Sequence, residues 1–158
     1  MLLIETLDFQ QTEKFAQALS KYLDIQQVVF LSGDLGAGKT ALARGLIRAL
    51  CGNAALDVPS PTFTLMQNYE SLKGQIYHVD LYRLLDEEEV FELGLFDLMA
   101  DSLLLIEWPE RLGTHVKQFS NYPLLRIMIK QQDDKKRLIT LEGLTPEHEQ
   151  ALRQNWKG

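Results

Sequence analysis

Cysteine, basic charge and long apolar runs are the three things this chain of 158 residues has least of. The lone Cys51 has no partner for an internal disulfide and no second thiol for a metal cluster, which fits a reducing compartment. No stretch approaches the ~18 to 20 apolar residues of a membrane span. The opening MLLIETLDFQ has no basic region ahead of its short apolar run, so a cytoplasmic protein with no membrane partner is expected. Sixteen Lys and Arg against 22 Asp and Glu give a net charge of −6, the wrong sign for general binding to nucleic-acid phosphates. Contact with RNA is therefore expected to be local or made through a partner. Internal repeats and Pro/Gly/Ser-rich linkers are also missing. With 46% hydrophobic and 24% charged residues, the chain is excluded from the disordered, collagen-like and low-complexity classes. Its length predicts one domain, residues 1–158, large enough to bury a core.

Phe15, Leu19, Tyr22 and Leu23 recur at helical spacing, predicting an amphipathic helix over 10–23 capped by Asp8 or Thr12. QVVFLSG at 27–33 is a short β-branched apolar run stopped by glycine, the pattern of a strand buried on both faces. Helical spacing resumes from Lys39 to Cys51, with Gly52 as the residue beyond the cap. The runs 62–69 and 75–82 predict a hairpin. Asp86 and Glu89 have the spacing of a capping box, with Leu85 and Val90 as its hydrophobic staple, so DEEE at 86–89 reads as a helix start favoured by the macrodipole, ending near Gly94. LLLIE at 103–107 predicts a second buried parallel strand whose one charge lies at its carboxyl end. Residues 123–130 and 137–142 predict a hairpin at the sheet edge, and Thr145 with Pro146 starts a last helix. The sum is a three-layer α/β fold: a mostly parallel central sheet extended by antiparallel hairpin strands, with helices on both faces.

The segment Gly33-Asp34-Leu35-Gly36-Ala37-Gly38-Lys39-Thr40 matches G-x-x-x-x-G-K-[ST] in full. From average residue usage the bare pattern arises by chance in roughly one chain in 200 of this length, and here it also has the strand before it and the helix after it that the motif requires. Phosphate needs backbone N–H groups converging on a concave loop, and glycine permits both the dihedrals and the close approach. The following helix adds the positive end of its dipole. The residues expected to line the nucleotide are Asp34, Leu35, Gly36, Ala37, Gly38, Lys39, Thr40 and Ala41. Lys39 would reach the β- and γ-phosphates and Thr40 would offer its hydroxyl to Mg²⁺.

A magnesium nucleotide also needs a carboxylate, commonly at the end of a neighbouring apolar strand, and Glu107 after LLLI is the first choice. Asp80 closes IYHVD and would orient the attacking water or a metal-bound water. Thr62 in Ser60-Pro61-Thr62 is placed where nucleotide switches put a hydroxyl that senses the γ-phosphate. Trp108 is expected at the rim. His78 reads as a satisfied structural histidine, Trp156 as helix packing and Cys51 as a small buried hydrophobe. Lys39, Asp80 and Glu107 are thus the expected catalytic set on the residues, with Thr40 and Glu107 on the metal; Thr62 by itself reads equally as an ordinary strand-start threonine.

GDLGAGKT at 33–40, SPTF at 60–63, YHVDLYRL at 77–84, ELGL at 92–95 and IEWPE at 106–110 together resemble the TsaE (YjeE) family of small bacterial P-loop ATPases. That resemblance covers most of the chain. It implies ATP binding and slow hydrolysis in a complex with the TsaB and TsaD proteins during threonylcarbamoyladenosine (t6A) modification of tRNA, with tRNA met only indirectly. It also implies that Thr62 lies in a first switch and so joins the catalytic set, that Asp80 lies in a second, and that Glu107 is the Walker B acid beside Trp108. Preference for ATP over GTP rests on the resemblance, since no guanine signature is present. Two other readings stay open on the residues: a nucleotide-state assembly switch with incidental hydrolysis, and a small-molecule P-loop kinase, although no arginine-rich lid segment is found. No arginine is clearly placed as a finger in cis, and Arg83 is the nearest to Asp80 in sequence.

Overall fold

A computed structural model describes all 158 residues. Seven strands form one sheet: β1 (Leu2–Thr6), β2 (Gln27–Ser32), β3 (Met66–Glu70), β4 (Gln75–Asp80), β5 (Ser102–Glu107), β6 (Leu124–Gln131) and β7 (Arg137–Glu142), in the order β1-β7-β6-β2-β5-β4-β3. The central pairs β6/β2, β2/β5 and β5/β4 are parallel, and the outer pairs β1/β7, β7/β6 and β4/β3 are antiparallel. The sheet is therefore mixed, a parallel centre extended by antiparallel outer strands, as expected. The 123–142 hairpin does not simply flank it, because β6 pairs directly with β2 and the outermost position belongs to β1. β1 was not predicted. Its alternation, with Leu2, Ile4 and Thr6 buried, is only five residues long and begins as an unbroken apolar run that masks the period of two.

The central strands are buried from both sides because they carry few polar groups: β5 is buried at every position and β2 at its middle four. One face is covered by α1 (Phe9–Ser20), α2 (Lys39–Leu50) and α5 (Pro146–Asn155), over the larger core built on Phe15, Leu31, Leu46 and Ile127. Asp8 caps α1 by accepting from the Gln11 amide, and Thr145 caps α5 by accepting from the His148 amide. The opposite face carries the single turns α3 (Glu89–Glu92) and α4 (Leu95–Leu98) and a 3₁₀ segment over 109–119, packed on β2, β4 and β5. Helical cover on that face is partial: Leu3 of β1 and Met128 of β6 remain half exposed.

Three local expectations are corrected. Residues 62–65 form a turn rather than the start of a strand, closed by the Leu65 amide on the Pro61 carbonyl with Leu65 at φ 64°. The acidic run starts only a four-residue helix, so there is little macrodipole to stabilise. Half of the capping box forms, Asp86 N–H to Glu89 Oε1 at 3.2 Å, but the staple does not, because Leu85 is 94% exposed and Leu84 fills the core in its place. Glu87 instead accepts from the Thr114 amide and hydroxyl, holding the 3₁₀ segment, and with Glu88 and His115 it forms a cluster of three ligand-type side chains.

α2 is held close to α1 by an absence of volume. A Cβ on Gly45 would lie 2.7 Å from the Ala16 Cβ, a contact that neither backbone can relieve without moving. Gly45→Ala is expected to lower the melting temperature even though alanine favours an exposed helix interior by about 1 kcal/mol over glycine. Thermal melts of the two proteins check this, and a rise in melting temperature would contradict the close crossing.

Candidate functional site

The parallel register puts three chain segments at one place. Leu31 is opposite Glu107 across β2/β5, and Asp80 is opposite Glu107 across β5/β4, so the loop after Ser32 leaves the sheet beside both carboxylates. Crevices at the carboxyl ends of parallel strands are where α/β sheets bind ligands.

The loop starts at Gly33 because nothing else fits. At φ 148°, a Cβ there would lie 2.5 Å from the Ile129 carbonyl oxygen of β6. The Ala37 amide closes on the Asp34 carbonyl at 3.0 Å, and Gly38, at φ 108°, caps α2 in the left-handed region. The first internal bond at this end of α2 is Leu42 N–H to Gly38 O, which leaves the amides of Gly38, Lys39, Thr40 and Ala41 without an acceptor in the chain. These four donors converge at the amino end of a helix dipole, an arrangement suited to an anion.

Lys39, only 5% exposed, donates to the carbonyls of Gly33 at 2.6 Å and Asp34 at 2.9 Å, and its Nζ lies 4.1 Å from the Trp108 ring centroid. Burial lowers its pKa, against the opposing pull of Glu107, Glu110, Asp80 and Asp34. The Thr40 hydroxyl lies 2.8 and 3.2 Å from the two Glu107 carboxylate oxygens and donates to them. Thr40 and Glu107 thus offer convergent hard oxygen donors, the ligand type magnesium takes. Asp80 accepts from the Tyr82 amide at 2.9 Å and from the Thr62 hydroxyl at 3.1 Å, and Thr62 in turn lies 2.6 Å from the Ser60 hydroxyl. Burial pushes the Asp80 carboxyl above the ordinary carboxylate range, with the Glu107 charge adding to it and the two hydrogen bonds opposing.

These groups enclose a cleft of about 280 Å³. Leu35, Gly36, Gly38, Lys39, Thr40 and Ala41 line it from the loop and α2, and Thr62, Asp80, Glu107 and Trp108 face them. Two residues expected there are elsewhere. Ala37, 1% exposed, belongs to the core, and Asp34 contributes its carbonyl to Lys39 and Ala37 and does not line the cleft. Two lining residues were not singled out as ligand contacts, Ser60 and Tyr82. Tyr82 packs on Trp108 with centroids 4.9 Å apart, and its placement two residues after a strand-terminal aspartate was the available signal. Trp108 itself sits at φ 59° and ψ 51°, a conformation costing a non-glycine residue roughly 1–2 kcal/mol. Arg83 does not line the cleft, since its guanidinium stacks on the exposed Phe63 ring at 4.1 Å.

His78 is buried as expected but is not satisfied. Neither ring nitrogen has a hydrogen-bond partner, and Nε2 stands 3.5 Å from Glu107 Oε2. Trp156 packs edge-on against Phe15, and Cys51 is half-buried rather than buried, with desolvation raising its thiol pKa. A larger cavity of about 540 Å³ opens on the thinly covered face over Phe30, Arg126, Met128 and Thr140, and none of the expected site residues lines it.

Fold and site together define an α/β protein with an anion-suited cleft at the carboxyl ends of parallel strands, bordered by two carboxylates. The family model for the threonylcarbamoyl adenosine biosynthesis protein TsaE matches residues 6–139, and the chain belongs to the TsaE family. It is 41% identical over 132 residues to TsaE of Rickettsia bellii, covering 84% of this chain and 88% of that one. To TsaE of Haemophilus influenzae it is 46% identical over 101 residues, 63% of each chain. Among solved structures, YdiB of Bacillus subtilis superposes with a TM-score of 0.68 at 28% identity, covering 97% of this chain and 92% of that one.

The raised pKa of Asp80 has a stability consequence with a definite sign. A carboxyl that holds its proton more tightly when folded makes the fold less stable as pH rises from the unfolded value, about 3.9, through the folded one. Ionised Asp80 therefore costs stability at neutral pH. Asp80→Asn, which keeps the shape, is expected to melt higher than wild type at pH 7 without ligand, with the gap narrowing as pH falls towards about 4. Melting curves across that range check it, and a lower melting temperature at pH 7 would contradict the assignment.

Proposed function

We propose that this chain is a P-loop NTPase, a magnesium-dependent ATPase that hydrolyses ATP slowly alone and works with the TsaB and TsaD proteins in t6A modification of tRNA. The observation that carries the reading is the run of four acceptor-free amides at Gly38–Ala41 wrapped around Lys39, beside a hydroxyl already joined to a strand-terminal carboxylate. The named role comes from the relatives, which are called tRNA threonylcarbamoyladenosine biosynthesis proteins, and the choice of ATP comes from the family likeness.

Under this reading the amides of Gly36 and of Gly38–Ala41 bind phosphate oxygens, and the Lys39 ammonium exchanges two loop carbonyls for the β- and γ-phosphates. Thr40 and Glu107 would hold magnesium, which when bound neutralises charge on the phosphates. Asp80, whose carboxylate burial makes more basic than usual, accepts a proton from the attacking water, and Thr62 orients that carboxylate through its 3.1 Å bond. Trp108 and Tyr82 close the rim of the cleft. Lys39 is the one cation lining the cleft, and no arginine of the chain lines it. An absent arginine finger lowers turnover by about 10³ to 10⁵, which supports slow hydrolysis by the isolated chain and completion by a partner. The same absence leaves the kinase alternative without the arginine lid it needs.

Titration calorimetry with ATP, ADP and GTP, with and without Mg²⁺, tests the reading directly, and failure to bind either adenine nucleotide would overturn it. Lys39→Ala is expected to lower ATP turnover by about 10² or more with no loss of melting temperature, because a desolvated ammonium is removed. Steady-state hydrolysis is expected to be slow for the chain alone and faster when TsaB and TsaD are added, and an already fast rate unchanged by them would count against the partnership.

A further inference from the structure

We infer that Arg137, a residue of β7 far from the glycine loop in sequence, is a positioning residue for phosphate recognition: it fixes the Ala37–Gly38 peptide so that the Gly38 amide faces the cleft. The inference rests on the nucleotide-binding reading above and deepens it.

Arg137 is 4% exposed and its Nε donates to the Ala37 carbonyl at 2.9 Å. Its Nη1 donates to the carbonyls of Asp133 and Lys136, each at 3.1 Å, and its guanidinium carbon lies 5.4 Å from the centroid of the Phe9 ring, at the start of α1. No carboxylate lies within 4 Å of it, the Asp133 charge acting only from farther off, so all of its hydrogen bonds go to backbone oxygens. A buried cation with no directly paired carboxylate is costly. Its retention here is explained by what its rigid fork of donors holds.

The held carbonyl matters because of peptide geometry. The chain has no cis peptide bonds, so the carbonyl of Ala37 and the N–H of Gly38 point in opposite directions from one rigid plane. With the oxygen pinned from the β7 side, the Gly38 N–H is turned away from β7, and Gly38 lines the cleft with that amide free of any internal acceptor. Gly38 itself, at φ 108°, has no side chain to resist rotation. Arg137 supplies the restraint that glycine lacks, and its positive charge behind the loop favours the anion in front of it.

The test compares wild type, Arg137→Gln and Arg137→Lys as full-length proteins. The readouts are Mg·ADP titration calorimetry, the Gly38 amide resonance of isotope-labelled protein, and steady-state ATP kinetics. ADP is expected to shift the Gly38 amide in wild type. Arg137→Gln is expected to bind ADP about tenfold more weakly, the size of one hydrogen bond from a charged group, to raise KM for ATP by a similar factor while kcat moves less, and to lose most of the Gly38 shift at saturation. Arg137→Lys, which keeps the charge without the fork, is expected to fall between. A role confined to stability would lower the melting temperature of Arg137→Gln while leaving the folded protein's ADP affinity and Gly38 shift as in wild type, and that result overturns the proposal with the nucleotide reading intact. If Arg137→Gln does not fold, Arg137→Lys decides: weaker ADP binding in the folded protein supports the proposal, and wild-type binding overturns it. Failure of wild type itself to bind ADP overturns the nucleotide reading, and the proposal falls with it.

Discussion

Parallel pairing of β5 with β2 on one side and β4 on the other is the constraint from which the site follows. Each strand is an apolar run that gains stability only by being covered on both faces, and each ends where a polar residue can reach the open edge of the sheet. Register then does what sequence proximity cannot. Thr40 and Glu107 are 67 residues apart and share a hydrogen bond, while Thr62 and Asp80 meet across 18 residues beside them. A slip of one residue in β5 would turn Glu107 to the other face and leave Thr40 without its partner.

The charges gathered at this edge make it the least comfortable part of the molecule. Lys39, His78, Asp80 and Glu107 are each at most 5% exposed, and burial works against the charged forms of Lys39 and Asp80. Internal partners compensate: loop carbonyls and an indole face for Lys39, a hydroxyl for Glu107, an amide and a hydroxyl for Asp80. His78 is left with no hydrogen bond at all. Stored cost of this kind accumulates where a site is built to exchange internal partners for ligand atoms.

The elements legible in the sequence are those whose signals are local. The glycine loop, the β2 and β5 runs, the α2 helix and the Asp8 and Thr145 caps are each written within a dozen residues, and so was the idea that Asp80 and Glu107 end strands near the loop. What could not be read depends on packing at a distance. Leu85 looked like a staple partner for Val90, but Leu84 fills the core because the turn from Leu81 to Leu84 aims that side chain inward. The satisfied histidine failed because β4 pairs with β5 on the side where Glu107 ends, which alternation along β4 alone does not encode. Ala37 has the right sequence position for a loop contact, yet its methyl is needed under Gly33, 3.1 Å from where a Cβ there would lie.

The β6–β7 hairpin shows most clearly how far the loop depends on chain that its own motif does not mention. Read alone, residues 123–142 are an edge extension with no chemistry. In the fold β6 sits directly beside β2, and its Ile129 carbonyl presses so closely on Gly33 that only hydrogen fits there. β7 then sends Arg137 beneath the next turn of the loop to take the Ala37 carbonyl. The stretch matched by the family model ends at residue 139, so it takes in β6 and Arg137 and leaves α5 outside. A glycine-rich loop is by composition the most mobile segment a chain can make, and free amides aimed at one point have to be held there by something stiffer. The stiffness comes from two strands late in the sequence, which fold under the loop and fix it from behind.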